Sequence, residues 1–186
     1  MWVTVVHSAN MKNPWVIIGI ITVVLFGGAL LLSGQSNERN NEGVEVQSHI
    51  KGNPEAEVTL VEYSDLQCPA CASFQPVITQ VMDQFGDQLL FEYKHFPLPM
   101  HRNAMEAAMA AEAAGQQGMF FEYHDILFER QSQWAQTNPT TLFVEYAEEL
   151  ELDIETFRRH MDSSILRDKV RADLNEGRER EVTGTP

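Results

Sequence analysis

The chain has 186 residues, with 13 Lys and Arg against 27 Asp and Glu and a formal net charge of −14. At 44% hydrophobic and 22% charged residues it has a globular and not a disordered balance, and its length suits one domain with an appendage. The acid surplus argues against a nucleic-acid binder, because neutralising phosphates takes clustered Lys and Arg. Two cysteines exclude a disulfide-dense scaffold and a zinc site of four thiolates.

Trp15 to Leu32 is a run of 18 residues without charge and with one hydroxyl, Thr22. As a helix it would span roughly 27 Å, close to the hydrocarbon thickness of a bilayer. Residues 14–33 therefore read as a transmembrane anchor or signal segment. Residues 1–13 read as a short cytoplasmic segment, since Lys12 is the nearby positive charge on that flank. A cleaved signal peptide has a shorter apolar core and a small-residue exit. Leu31-Leu32-Ser33-Gly34-Gln35 makes a poor exit of that kind, so the uncleaved anchor is preferred; both readings put the remainder outside the cytoplasm. Met11-Lys12-Asn13-Pro14 has the form of a natural start, which would make residues 1–10 an upstream extension. Residues 34–55 are rich in Ser, Asn, Gln, Glu and Gly and read as a polar linker. Residues 56–186 read as one folded domain, without an internal repeat.

Within that domain, Val58 to Tyr63 alternates like a strand. The helix after Cys71 has apolar positions Phe74, Val77, Ile78, Val81, Met82 and Phe85, one helical face, and ends at Gly86. Pro76 inside it predicts a kink. Leu89 to Phe96 is again strand-like and stops at Pro97 and Pro99. Helices are predicted over Asn103 to Ala114, from about Met119 to Gln131 with Phe120, Tyr123, Leu127 and Phe128 buried, and over Thr141 to Leu150. Two more begin after Asp153, a predicted N-cap, and after Ser163 or Ser164. Val182 to Pro186 leaves the last helix as if approaching another strand. A strand, helix, strand start implies a right-handed crossover and a parallel pair.

Cys68-Pro69-Ala70-Cys71 stands at the junction of a predicted strand and helix. Proline suits the first helical turn, where its missing N–H would be unpaired anyway. Cys68 thus falls at the helix N-terminus, where free N–H groups and the helix dipole stabilise a thiolate. Cys71 is three residues on, within reach of it. One exposed thiolate with a resolving neighbour is the arrangement for thiol–disulfide exchange. Two other uses stay open. The pair could be half of a zinc site completed from His49, His95, His101, His124 and His160, none of which forms a tight histidine pair. It could also be a structural disulfide, although so short a loop constrains the unfolded chain little.

Glu62-Tyr63-Ser64-Asp65-Leu66-Gln67-Cys68-Pro69-Ala70-Cys71 resembles the active-site segment of DsbA-like thioredoxin-fold oxidoreductases, closest to their membrane-anchored bacterial branch. Tyr93-Lys94-His95-Phe96-Pro97-Leu98 with His101, and Glu122-Tyr123-His124-Asp125-Ile126-Leu127-Phe128, resemble the same family over about Glu57 to Pro186. The resemblance implies an α/β thioredoxin-like fold with an inserted helical domain at about residues 100–180. It implies Cys68 as nucleophile, Cys71 as buried partner, Pro69 and Ala70 as the dipeptide tuning the redox potential, and Glu62 as the acid serving the inner thiol. Thr185-Pro186 resembles the family's cis-proline dipeptide, which pairs with substrate backbone. Complete members continue through two more strands and a helix, so the chain reads as truncated after Pro186.

The function expected from this is an extracytoplasmic thiol–disulfide oxidoreductase that introduces disulfides into exported proteins. Its redox group would be the Cys68–Cys71 disulfide, with no other cofactor and no metal. A membrane quinone-linked partner of the DsbB or VKOR type would reoxidise it. The alternatives are a reductase or isomerase of the same fold, or an anchored non-catalytic binding module. Met100, Met105 and Met109 lie at helical intervals and could suggest a metal-binding face, but core packing is the commoner use of methionine. Glu148, Glu149 and Glu151 read as solvated positions.

Overall fold

The structure, a computed structural model, describes residues 14–186; the side chains of residues 14, 16 and 27–34 lie outside the description. The expected cytoplasmic segment 1–13 and the start at Met11 therefore fall outside the described residues. The described residues divide into two compact units, one ending at Arg39 and the other running from Asn40 to Pro186. Helix α1 (Pro14–Asn40) runs for 27 residues, all but the last of them in the first unit. Its side chains from Ile17 to Phe26 are solvent-exposed, Val23 by 73%, and the Thr22 hydroxyl donates to the Ile18 carbonyl at 2.6 Å, satisfying its polar group within the helix. Among the described residues no helix is long and apolar enough to cross a membrane.

The second unit is built on a mixed three-stranded sheet of order β1-β3-β2. β1 (His49–Gly52) and β2 (Val58–Ser64) flank the central β3 (Leu89–His95). β2 runs parallel to β3, from Val58 opposite Leu89 to Ser64 opposite His95. β3 carries the period of two that a sheet with one covered face requires: Leu89, Phe91, Tyr93 and His95 are buried and the residues between them half-buried. β1 is antiparallel to β3, with His49 opposite Tyr93. It lies within the stretch whose composition reads as linker. Four residues of sequence His-Ile-Lys-Gly carry no periodicity to announce a strand; pairing with β3 makes it one. Gly52 closes the strand at φ +90°, where a Cβ would run into the Leu89 carbonyl oxygen.

α2 (Pro69–Phe85) connects β2 to β3 and contains Pro76. Its buried residues are Cys71 and Ile78, with Val81 and Met82 packed in part against the core. Phe74, Val77 and Phe85 are 39–44% exposed, so the single apolar face read from the sequence is only half used. The stripe through 71, 75, 78 and 82 faces inward and its neighbour does not.

The remainder is helical: α3 (Ala104–Gly115), α4 (Phe120–Glu129), the single turn α5 (Gln131–Trp134), α6 (Thr140–Glu149), α7 (Ile154–Met161) and α8 (Ser164–Glu179). α3 is buried on nearly every side, and its alanines admit close neighbours. The expected caps are present: Asp153 accepts from Thr156 N at 2.7 Å and Ser163 from Leu166 N at 3.3 Å. α8 returns to the sheet, where a Cβ on Gly177 would stand 2.7 Å from the Phe96 ring and 2.9 Å from that of Tyr63. Residues 182–186 form no strand.

Candidate active site at the Cys68–Cys71 turn

β2 delivers the chain into the loop 65–67, which the Asp65 carboxylate braces. It accepts from Gln67 N at 2.7 Å, from Leu98 N at 2.8 Å and from His101 Nδ1 at 2.7 Å. One buried carboxylate thus ties the cysteine loop to the segment after β3 with charge-assisted bonds. Gln67 Nε2 donates to the Ala135 carbonyl at 2.7 Å, and Gln67 Oε1 accepts from Asn103 N at 2.7 Å. Gln131 Nε2 donates to the carbonyls of Leu66 at 2.8 Å and Cys68 at 3.1 Å. The helical insertion therefore holds the loop from its far side.

Cys68 is the N-cap of α2, with φ −74° and ψ 121°, followed by Pro69 in the first turn. Both cysteines are free thiols. Cys71 is fully buried, and Cys68, expected to be exposed, is only 6% exposed. The loop carrying Thr185 approaches it: the Cys68 Sγ donates to the Thr185 carbonyl at 3.8 Å, and the Thr185–Pro186 peptide bond is cis.

The two thiols differ in acidity. Burial works to raise Cys68, but the Thr185 hydroxyl, the Cys71 thiol and the helix-terminal N–H groups of Cys71 and Ala70 outweigh it, leaving Cys68 below its ordinary value. Burial pushes Cys71 up to about 11. Glu62 is 6% exposed. Burial raises its pKa against the opposing pull of Ser64, His124 and Gln75. Gln75 Nε2 donates to its Oε1 at 3.3 Å, while Oε2 has no partner among the described residues. The buried Ser64 hydroxyl makes no hydrogen bond among the described residues; its one O–H can ease ionisation of only one of Glu62, Cys71 and Tyr93 at a time. Ser64, Tyr93 and Gln75 are groups that the sequence alone did not assign. Ser64 and Tyr93 share the register of the parallel pair with Glu62, which was the one available sign.

The histidines weighed as zinc ligands are held elsewhere. His101 pairs with Asp65, His124 with Asp125 and His160 with the Glu42 carbonyl. His49 and His95 approach Glu112 Oε1 at 2.9 and 3.1 Å. That trio contains no cysteine, and Lys169 Nζ, 2.7 Å from the same oxygen, already supplies a cation to the buried carboxylate.

A thioredoxin family model matches residues 45–186. The sodium/proton antiporter NhaA 1 of Salinispora arenicola is 37% identical over 141 residues, 75% of this chain and 21% of that protein, so the chain spans about a fifth of the length of such curated relatives. A thioredoxin-like oxidoreductase from Silicibacter pomeroyi superposes with a TM-score of 0.65 at 26% identity, over 80% of this chain and 82% of that one. Wolbachia pipientis alpha-DsbA1 does so with a TM-score of 0.64 at 24% identity, over 80% and 77%. With the match running from ahead of β1 to the last residue, the chain belongs to the thioredoxin family and has the fold of DsbA-like thiol–disulfide oxidoreductases.

Proposed function

We propose that this protein is a thiol–disulfide oxidoreductase that oxidises exported proteins from an extracytoplasmic position, with Cys68 and Cys71 as its redox pair. The observation that carries the reading is the inequality of the two thiols at one helix N-terminus. In the oxidised state a substrate thiolate attacks the Cys68 sulfur, and the Cys68–Cys71 bond breaks with Cys71 as the leaving thiolate. That thiolate sits in a site that disfavours its charge, so it takes a proton, with Glu62 the nearby acid whose pKa burial has raised. The substrate's second thiol, deprotonated, then attacks its own sulfur in the mixed disulfide and expels Cys68 as a thiolate. Two electrons pass to the cysteine pair and the substrate gains one disulfide.

A low thiol pKa at Cys68 makes it a good leaving group and stabilises the reduced enzyme, which supports the oxidising direction. Pro69 and Ala70 are the exposed dipeptide that would tune that potential. Thr185 and Pro186 would receive substrate backbone beside the sulfur. The apolar run at residues 15–32 supports attachment to the membrane by α1, with the N-terminus cytoplasmic. A membrane quinone-linked protein would return the pair to the disulfide.

The test is equilibration of the pair with glutathione redox buffers. A midpoint above roughly −180 mV supports the oxidase, and one below roughly −250 mV would assign the reductase direction instead. A Cys68→Ser variant that left thiol oxidation in the cell intact would overturn catalysis by this pair, and absence of exchange activity in the unaltered chain would leave the non-catalytic binding module.

A further inference from the structure

The methionine spacing noted in the sequence finds its use away from the thiols. A cavity of about 530 Å³ opens among α3, α6, α7 and α8, lined by Met105 and Met109 of α3, by Met161 of α7, and by Arg102, Arg158 and Arg167. Met109 is 2% exposed, and Met105 and Met161 are half-buried. Unbranched thioether side chains give such a lining an adaptable apolar surface. Arg102 is partly engaged, donating to the carbonyls of Gln136 at 2.7 Å and Thr137 at 3.0 Å. Among the described residues the guanidinium groups of Arg158 and Arg167 make neither an ion pair nor a hydrogen bond.

Arg158 is exposed and Arg167 half-buried, so both guanidiniums stay available at the cavity wall in a chain of 27 acidic side chains and 13 Lys and Arg. Two carboxylates share the cavity wall, Glu106 and Asp162, and Glu106 already accepts from the Thr140 hydroxyl at 2.7 Å. Three guanidiniums against two carboxylates leave the cavity net positive, which disfavours a soft metal ion on the methionines. Guanidinium groups match the planar geometry of a carboxylate, and the volume is that of a small-molecule site. We propose that this cavity binds an organic anion with a short apolar body, its carboxylate held by Arg158 and Arg167 and its hydrocarbon laid on Met105, Met109 and Met161. The site goes beyond the thiol chemistry and uses none of its residues.

The test titrates the full chain at low salt with octanoate and with a capped Leu-Asp-Leu peptide, by calorimetry. Saturable binding of either probe is expected, weakened at least about tenfold in the R158Q/R167Q double variant and for uncharged octanamide. Circular dichroism and thiol-exchange rate should be unchanged in that variant, so failure here is separable from failure of the redox reading. Stronger binding of octanoate assigns a free amphiphile, and stronger binding of the peptide assigns an acidic side chain of a protein segment. No saturable binding by either probe overturns the proposal. So does equal binding by the variant, which would place octanoate on the apolar surface of α1 instead.

Discussion

The carboxamide of Gln131 reaches across from the helical insertion and holds the carbonyl oxygen of Cys68 at 3.1 Å. The same oxygen accepts the first hydrogen bond of α2, from Ala72 N at 3.1 Å. The backbone of Cys68 is thus fixed from two sides, by its own helix and by a residue 63 positions later. The geometry of the thiol at the helix N-terminus depends on both.

Truncating that clamp should loosen the thiol before it unfolds the protein. Gln131→Ala removes donors to Leu66 O and Cys68 O, a loss of about 1–2 kcal/mol from two ordinary hydrogen bonds. The Cys68 alkylation profile should move toward that of a free thiol as the N-terminal geometry relaxes. Iodoacetamide rates against pH, with urea unfolding alongside, check both; an unchanged profile would make Gln131 structural only.

Glu62→Gln keeps the shape and removes the titrating group. If Glu62 serves the Cys71 proton, mixed-disulfide formation and resolution should slow by about 100-fold or more at neutral pH, in the range of lost general acid–base assistance. Cys68 alkylation should change far less. Stopped-flow kinetics with a dithiol peptide measures the first, and equal slowing of both reactions would count against the assignment.

The buried thiol predicts a stability change with pH. Cys71 titrates at about 11 in the fold, above the value of about 8.5 for an unfolded thiol. Its contribution is complete below the unfolded pKa and is lost as pH rises through the window up to the folded one, because the unfolded chain ionises first. Reduced protein should therefore weaken between about pH 8.5 and 11 more steeply than a Cys71→Ala variant. Urea titrations at several pH values compare the two slopes; parallel slopes would contradict the burial assigned to Cys71.

Lys169 lies 2.7 Å from Glu112 and 2.8 Å from Asp173, with all three side chains at least nine-tenths buried. Lys169→Met would leave two buried carboxylates without their cation, a cost of about 3–5 kcal/mol. Chemical denaturation measures it. Adding Glu112→Gln to the same chain should return part of the loss, because one uncompensated charge is then gone.

Much of the architecture was legible along the chain because it rests on local signals. Alternation marks β2 and β3, the helical repeat marks α4, and the side chains of Asp153 and Ser163 do cap their helices. The cysteine motif could be placed at a helix N-terminus because proline belongs there. The half-exposed face of α2 could not be foreseen, since the period of apolar residues tells which positions share a side and not how much of that side a neighbour covers.

By itself the sequence determined the two parallel strands, the helix between them and the pair of thiols at its start, since each follows from period, capping preference and residue type within a few positions. Only the tertiary structure decided that His-Ile-Lys-Gly is a strand, that Asp65 and Gln131 fasten the cysteine loop, and that the Thr185 carbonyl meets the Cys68 sulfur. These relations join residues up to 117 positions apart. Buried polar groups must find partners wherever the folded chain brings them, and no local propensity encodes which partner that will be.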